Sequence, residues 1–249
     1  MNDLISAFML TLLAGLSTGI GSMIAFFIPK PKLTYLSVLI GFAAGAMIYI
    51  SFVELLPISI EAVGFLAANT SFFAGMVVIY LLDRVIGHVH LDTLPDSYHS
   101  RLGKAGIFTA IGIAMHNFPE GLAVLLTSLN SLDMGLALAV AIAIHNIPEG
   151  IAVSVPIYYA TENRKKAFSY SFLSGLSEPI GAAIGYLLIF PYLTPALLGI
   201  TLGAVGGFMV FICFDELLPI AIEYGDEHLM LSGLLSGMVM MAASLYLLG

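Results

Sequence analysis

Polar residues interrupt this chain rarely, and the stretches between interruptions are too long and unbroken for a soluble fold. Apolar runs of about 20 residues, enough to cross a hydrocarbon core as a helix, occupy roughly 4–28, 33–58, 65–86, 105–128, 134–159, 167–190, 195–222 and 229–248. The breaks between them are short and rich in Pro, Lys, Asp and Asn, which stop helices and favour turns. A membrane barrel would instead show alternating strands of about ten residues, and these runs do not alternate. The pattern predicts an all-α polytopic membrane protein of eight transmembrane helices, with residues 1–249 forming a single transmembrane domain. The first run lacks a basic start and an Ala-x-Ala site and is too long for the apolar part of a signal peptide, so it is expected to be retained.

Composition agrees, with 59% hydrophobic and 10% charged residues and a mean hydropathy of +1.02. The basic residues add a direction. Lys30 and Lys32 follow the first run, Arg84, Arg101 and Lys104 flank the break after the third, and Arg164, Lys165 and Lys166 follow the fifth; these are all 8 in the chain. An excess of Lys and Arg marks cytoplasmic loops, which predicts an inner-membrane protein with both termini outside the cytoplasm. The net charge of −8, with no basic aromatic groove, offers nothing to nucleic acid. The lone Cys213 excludes an internal disulfide.

Two segments are written twice. "GFAAGAMIYISFVELLPISIE" (Gly41–Glu61) returns as "GAVGGFMVFICFDELLPIAIE" (Gly203–Glu223), and "AGLSTGIG" (Ala14–Gly21) as "SGLSEPIG" (Ser174–Gly181). Helices 1–3 and 6–8 are thus expected to be duplicated halves. Each copy lies five helices from its mate and so crosses in the opposite sense, which gives a 3+2+3 arrangement of inverted repeats. Such halves, with polar sites on helices interrupted by Pro and Gly, recur in transporters because the two can exchange outward- and inward-facing shapes.

The two central helices carry a third repeat, "HNFPEG" (His116–Gly121) and "HNIPEG" (His145–Gly150). With about 100° of turn per residue, Glu120 falls between His116 and Asn117 on one helix face. It can share one metal with the histidine and a second with the asparagine; His145, Asn146 and Glu149 repeat the geometry. Pro119 and Pro148 lack an N–H, so the carbonyls of Met115 and Ile144 lose their helical partners beside the ligands. A glutamate at the bilayer centre costs about 2.5–3.5 kcal/mol, and a divalent cation offsets two of them. Imidazole, carboxylate and amide oxygen together suit zinc, iron, manganese or cobalt better than calcium.

Paired HNxPEG motifs on helices 4 and 5, with "LSEPIG" (Leu176–Gly181) and "DELLP" (Asp215–Pro219), resemble the signature of the ZIP (Zrt/Irt-like) family of divalent metal transporters, and bacterial zinc-transporting members in particular. The resemblance covers essentially the whole chain. It implies a binuclear site made by His116, Asn117, Glu120, His145, Asn146 and Glu149, with Glu178 of helix 6 added. It also implies uptake of metal toward the cytoplasm, often by a homodimer, with the ion as substrate and no cofactor.

Access follows from the helix directions. Glu54 and Glu61 fall toward the outer end of helix 2, whereas Asp215, Glu216 and Glu223 fall toward the inner end of helix 7, so one group is placed to admit ions and the other to release them. His88 and His90 of "GHVHLD" lie in a His-containing cytoplasmic loop, 87–104, that can hold metal loosely. The rival reading is an intramembrane metal-dependent hydrolase using the same ligands to activate water. Against it stand the absence of His-Glu-x-x-His and Gly-x-Ser-x-Gly and the presence of inverted repeats, which catalysis does not need. The chain is expected not to be an enzyme; zinc is the expected cargo, with iron, manganese, cobalt and cadmium within the range of the ligands, and the lipid bilayer is its other partner.

Overall fold

The structure, a computed structural model, describes residues 2–28, 32–86, 98–189, 194–223 and 226–248. Among these residues there are helices and no strands. The elements are α1 (Asn2–Phe27), α2 (Leu33–Ile50), α3 (Leu56–Val63), α4 (Phe65–Ile86), α5 (Tyr98–Asn130), α6 (Leu132–Thr161), α7 (Arg164–Gly175), α8 (Ser177–Ile184), α9 (Pro195–Ile212), α10 (Leu218–Glu223) and α11 (Glu227–Leu248). Helices α2 and α3 form one rod through a π turn at Ser51–Leu55, and α9 and α10 another through Cys213–Leu217.

These two π turns were not expected, and proline explains them. Pro57 and Pro219 have no N–H to return to the preceding turn, and widening that turn by one residue relieves the clash while keeping the rod continuous. The chain ends its rods with local devices. Gly64, at φ 84°, closes α3 where a side chain would be strained. Ser131, Asn163 and Thr194 accept from the backbone N–H of Met134, Lys166 and Leu197 and so begin α6, α7 and α9.

Among the described residues, six rods are long and apolar enough to cross a membrane: Leu4–Phe27, Leu33–Val63, Phe65–Arg84, Leu132–Thr161, Pro195–Glu223 and Glu227–Leu247. The fourth and sixth expected spans, α5 and the α7–α8 pair, are not among them. Helix α5 holds Arg101, Lys104 and the polar motif in one rod, and α7 opens on three basic residues and is broken from α8 at Leu176.

The helices pack in two sets. In one, α1 lies along α6 and α7, and α5 lies between α6 and α8. In the other, α2 pairs with α11, and α4 pairs with α9. Within the second set backbones touch: a Cβ on Gly45 would overlap the carbonyl of Leu234, and one on Gly207 that of Phe72. Those residues occupy matching places in the duplicated segments. Between the sets, Gly112 of α5 faces the side chains of Ile212 and Ile79.

Several described basic residues gather at one end of the bundle. The Tyr159 hydroxyl donates to the Lys32 carbonyl at 2.6 Å, Arg164 donates to the Ile28 carbonyl at 2.7 Å, and Arg101 pairs with Glu223 at 2.8 Å. Gly103, two residues beyond Arg101, abuts Ala160.

Candidate metal site

The two HNxPEG motifs meet where α5 and α6 cross. His116, Asn117, Asn146, Glu149 and Glu178 are wholly buried, and Glu120 and His145 nearly so. The pairing is crossed between helices. His116 Nε2 lies 2.8 Å from Glu149 Oε1, and His145 Nε2 lies 3.5 Å from Glu120 Oε2. His116 and Glu120, which their spacing lets share a metal, are not the pair that hydrogen-bonds, because facing carboxylates reach across to the imidazoles and each polar group finds its partner on the neighbour. Ligand atoms of His116, Glu120 and Glu149 still all lie within 4.8 Å of one another, close enough for one ion to touch all three.

Several polar atoms of this buried cluster have no hydrogen-bond partner: Glu120 Oε1, Glu178 Oε1, Asn146 Oδ1 and the Nδ1 atoms of both histidines. Buried oxygens without donors are unfavourable in a protein interior and are what a cation would satisfy. A proton between imidazole and carboxylate accounts for the 2.8 Å contact, and a metal held by both groups would have to displace it.

Glu178 joins from α8. Its Oε2 accepts from Asn146 Nδ2 at 2.8 Å, and the same amide nitrogen donates to the Ala14 carbonyl at 3.0 Å, which leaves the Asn146 oxygen free for a ligand. Asn117, with its amide turned so that nitrogen meets acceptors, donates to Glu149 Oε2 and to the Ile113 carbonyl, each at 3.2 Å. Glycine lets these helices close in. A Cβ on Gly121 would strike the Glu178 carbonyl and one on Gly150 the Thr18 carbonyl, so equivalent motif glycines rest on equivalent positions of "GLSEPIG" and "GLSTGIG".

The structure separates the remaining candidates. Glu54 is half-buried in the π turn before α3 and interacts electrostatically with His145 and Glu120. Asp215 and Glu216 stand elsewhere, in a second acidic cluster with Asp83 whose ligand atoms lie within 4.8 Å of one another. Asp83 escaped the sequence reading: next to Arg84 at the end of an apolar run it looks like an ordinary helix-end pair, and only the packing of α4 on α9 brings it to Glu216. His88 and His90 lie outside the described residues.

Comparison with known proteins gives a consistent result. Residues 93–245 match the family model described as ZIP Zinc transporter. The chain is 49% identical to the zinc transporter ZupT of Chlorobium phaeovibrioides over all of both chains. It is also 49% identical to the zinc transporter ZupT of Clostridium perfringens, over 99% of this chain and 97% of that one. With the zinc transporter ZupT of Streptococcus mutans it shares 49% identity over 98% of each.

Proposed function

Because this chain belongs to the ZIP zinc transporter family, a family of membrane transporters and not of enzymes, we propose that it moves zinc into the cytoplasm through a binuclear site on α5, α6 and α8. As a ZupT-type protein it is an integral protein of the cell membrane, and zinc is its transported substrate rather than a cofactor. The observation that carries the proposal is the crossed pair of His–Glu contacts with unsatisfied carboxylate and amide oxygens beside them. His116, Glu120 and Glu149 hold one ion, with His145 closing the other side of Glu120. Asn117, Asn146 and Glu178 hold the second.

The chemistry is exchange of ligands. A divalent ion entering the bundle loses water, and imidazole nitrogen and carboxylate oxygen replace it, while its charge offsets two buried glutamates that are costly at membrane depth. Iron, manganese, cobalt and cadmium fit the same donor set, so competition between ions is part of the proposal.

The wider frame is eight membrane-crossing helices in a 3+2+3 arrangement of inverted repeats. Its support is the matching of contacts between copies: Gly121 on Glu178 and Gly150 on Thr18, Gly45 on Leu234 and Gly207 on Phe72. The end holding Lys32, Arg101 and Arg164 faces the cytoplasm by charge, which puts both termini outside. Asp83, Asp215 and Glu216 then lie on the way out. The working unit is a homodimer, by likeness to the family.

Zinc uptake into proteoliposomes tests the reading. Accumulation that is abolished in E120A and E149A supports it, and wild-type accumulation in both removes the central site.

A further inference from the structure

A pair of serines ties α1, α6 and α7 together one residue past the Glu149 ligand. The Ser171 hydroxyl of α7 donates to the Gly150 carbonyl at 3.0 Å, Ser22 Oγ of α1 lies 2.6 Å from Ser171 Oγ, and it also lies 2.7 Å from the Thr18 carbonyl. Both serines are wholly buried. Two hydroxyl protons serve these three contacts, so two are made at once: the chain runs either from Ser22 through Ser171 to Gly150 or from Ser171 through Ser22 to Thr18. The segment they meet is intrinsically weak as a helix. Pro148 takes the helical donor from the Ile144 carbonyl, Gly150 is a poor helix former, and Glu149 stands between the two. The Thr18 carbonyl rests on Gly150 and the Ile147 carbonyl on Gly21, so α1 meets the backbone of α6 on either side of Glu149.

The duplicated half is built differently. With "AGLSTGIG" laid on "SGLSEPIG", Ser22 corresponds to Ala182, which brings no hydroxyl, and Ser171 corresponds to Thr11, which donates to the Ala7 carbonyl of its own helix at 3.0 Å. The serine pair therefore serves the motif of α6, and the corresponding positions offer no such pair to the motif of α5.

We propose that Ser22 and Ser171 are positioning residues for Glu149. Their hydroxyls fix the peptide that follows Glu149 between α1 and α7, and so hold the carboxylate where His116 meets it at 2.8 Å and Asn117 at 3.2 Å. Neither serine touches the ion. A ligand held in place before the ion arrives loses less freedom on binding, and groups that orient ligands set metal affinity in this way. The proposal rests on the central site as read above, and it makes the two motif helices unequal: the Glu149 side is braced by hydroxyls from two neighbouring helices.

Zinc titration calorimetry and melting of the metal-free full chain in detergent, with zinc uptake in proteoliposomes, provide the test. In S171A the dissociation constant for zinc and the KM for uptake are each expected to rise by about fivefold or more, the equivalent of one buried hydrogen bond. T11A also loses a buried hydroxyl, but one bonded within its own helix, and is expected to keep both values. Should S171A fail to fold, S171C takes its place, since a thiol is of similar size and a weak donor, and a rise in the same sense is expected. Unchanged zinc affinity and KM in the folded variant overturn the proposal whatever its melting temperature, because a serine that serves packing alone lowers stability without moving either value. An equal rise in T11A overturns it as well. The central site is read separately: wild-type uptake in E120A and E149A removes the site that the serines serve, whereas no uptake in those variants beside unchanged affinity in S171A rejects the positioning role alone.

Discussion

His116 of α5 is hydrogen-bonded to Glu149 of α6 and not to Glu120, its neighbour one turn on in the same helix. The crossed contact ties the two motif helices together at the site itself. It also distinguishes this arrangement from two independent helical clusters, each with its own histidine and glutamate.

A double-mutant cycle on metal-free protein reads that difference. Residues in direct contact or in one network couple by about 0.5–3 kcal/mol, most strongly where they share a hydrogen bond, and only distant pairs without a shared partner add. His116→Ala and Glu149→Ala are expected to be strongly non-additive in detergent melting experiments, and His116→Ala with Glu120→Ala much less so. Equal coupling in both cycles contradicts the crossed geometry.

The glutamates are expected to matter more than the amides for transport. Each of Glu120 and Glu149 supplies charge to the cluster, so either change to Ala should bring zinc uptake to background at normal expression. Asn117 contributes a neutral oxygen and a hydrogen bond to Glu149, and Asn117→Ala should leave partial uptake. A dead Asn117→Ala beside an active Glu149→Ala would reverse the assignment.

Much of this was legible in the chain because membrane helices announce themselves by length. The expected runs at 65–86 and 195–222 coincide within a residue or so with α4 and with the Pro195–Glu223 rod. The ligands were legible because charge is rare here and the motif is duplicated. What the sequence hid depends on packing. Spacing along one helix favoured His116 with Glu120, and nothing in it says which imidazole crosses to which carboxylate. Asp83 looked like half of an Asp–Arg pair until α4 met α9. The π turns were hidden because Pro57 and Pro219 are as compatible with a kink as with a widened turn.

Close packing of the motif glycines yields a steric prediction. A methyl on Gly121 meets the backbone of Glu178, which cannot rotate away as a side chain could. Gly121→Ala and Gly150→Ala should each destabilise the protein by about 1–3 kcal/mol through overpacking and displace α8 or α1 from the site. Gly103→Ala meets only the Ala160 side chain at 3.5 Å and should be tolerated. Melting temperatures of the three variants decide this, and equal loss in all of them argues against a special approach at the motifs.

Orientation is open to labelling. Single cysteines at Lys104 and Lys165, in a Cys213→Ser background, should be protected from an impermeant thiol reagent in intact cells. One at Asp133, just past the other end of α5, should react. Reaction at the lysine positions with protection at Asp133 inverts the topology and exchanges the roles of entrance and exit.

The last prediction concerns the one place where the copies of the first repeat differ in charge. Thr18 and Glu178 hold equivalent positions, each with its carbonyl against a motif glycine, but only Glu178 brings a carboxylate. With Glu120 and Glu149 this makes three buried glutamates, and one divalent ion leaves a net charge of −1 in a poorly hydrated interior, which is unfavourable. Glu178 Oε1 and Asn146 Oδ1 have no hydrogen-bond partner and offer two oxygens to a second ion, whose charge more than offsets that excess. Glu178→Gln removes both the charge and the need for that ion. The variant is therefore expected to bind one zinc with affinity close to wild type and to lose the second. Titration calorimetry on purified protein gives the stoichiometry directly, and two zinc ions per chain in the variant would show that Glu178 does not hold the second metal.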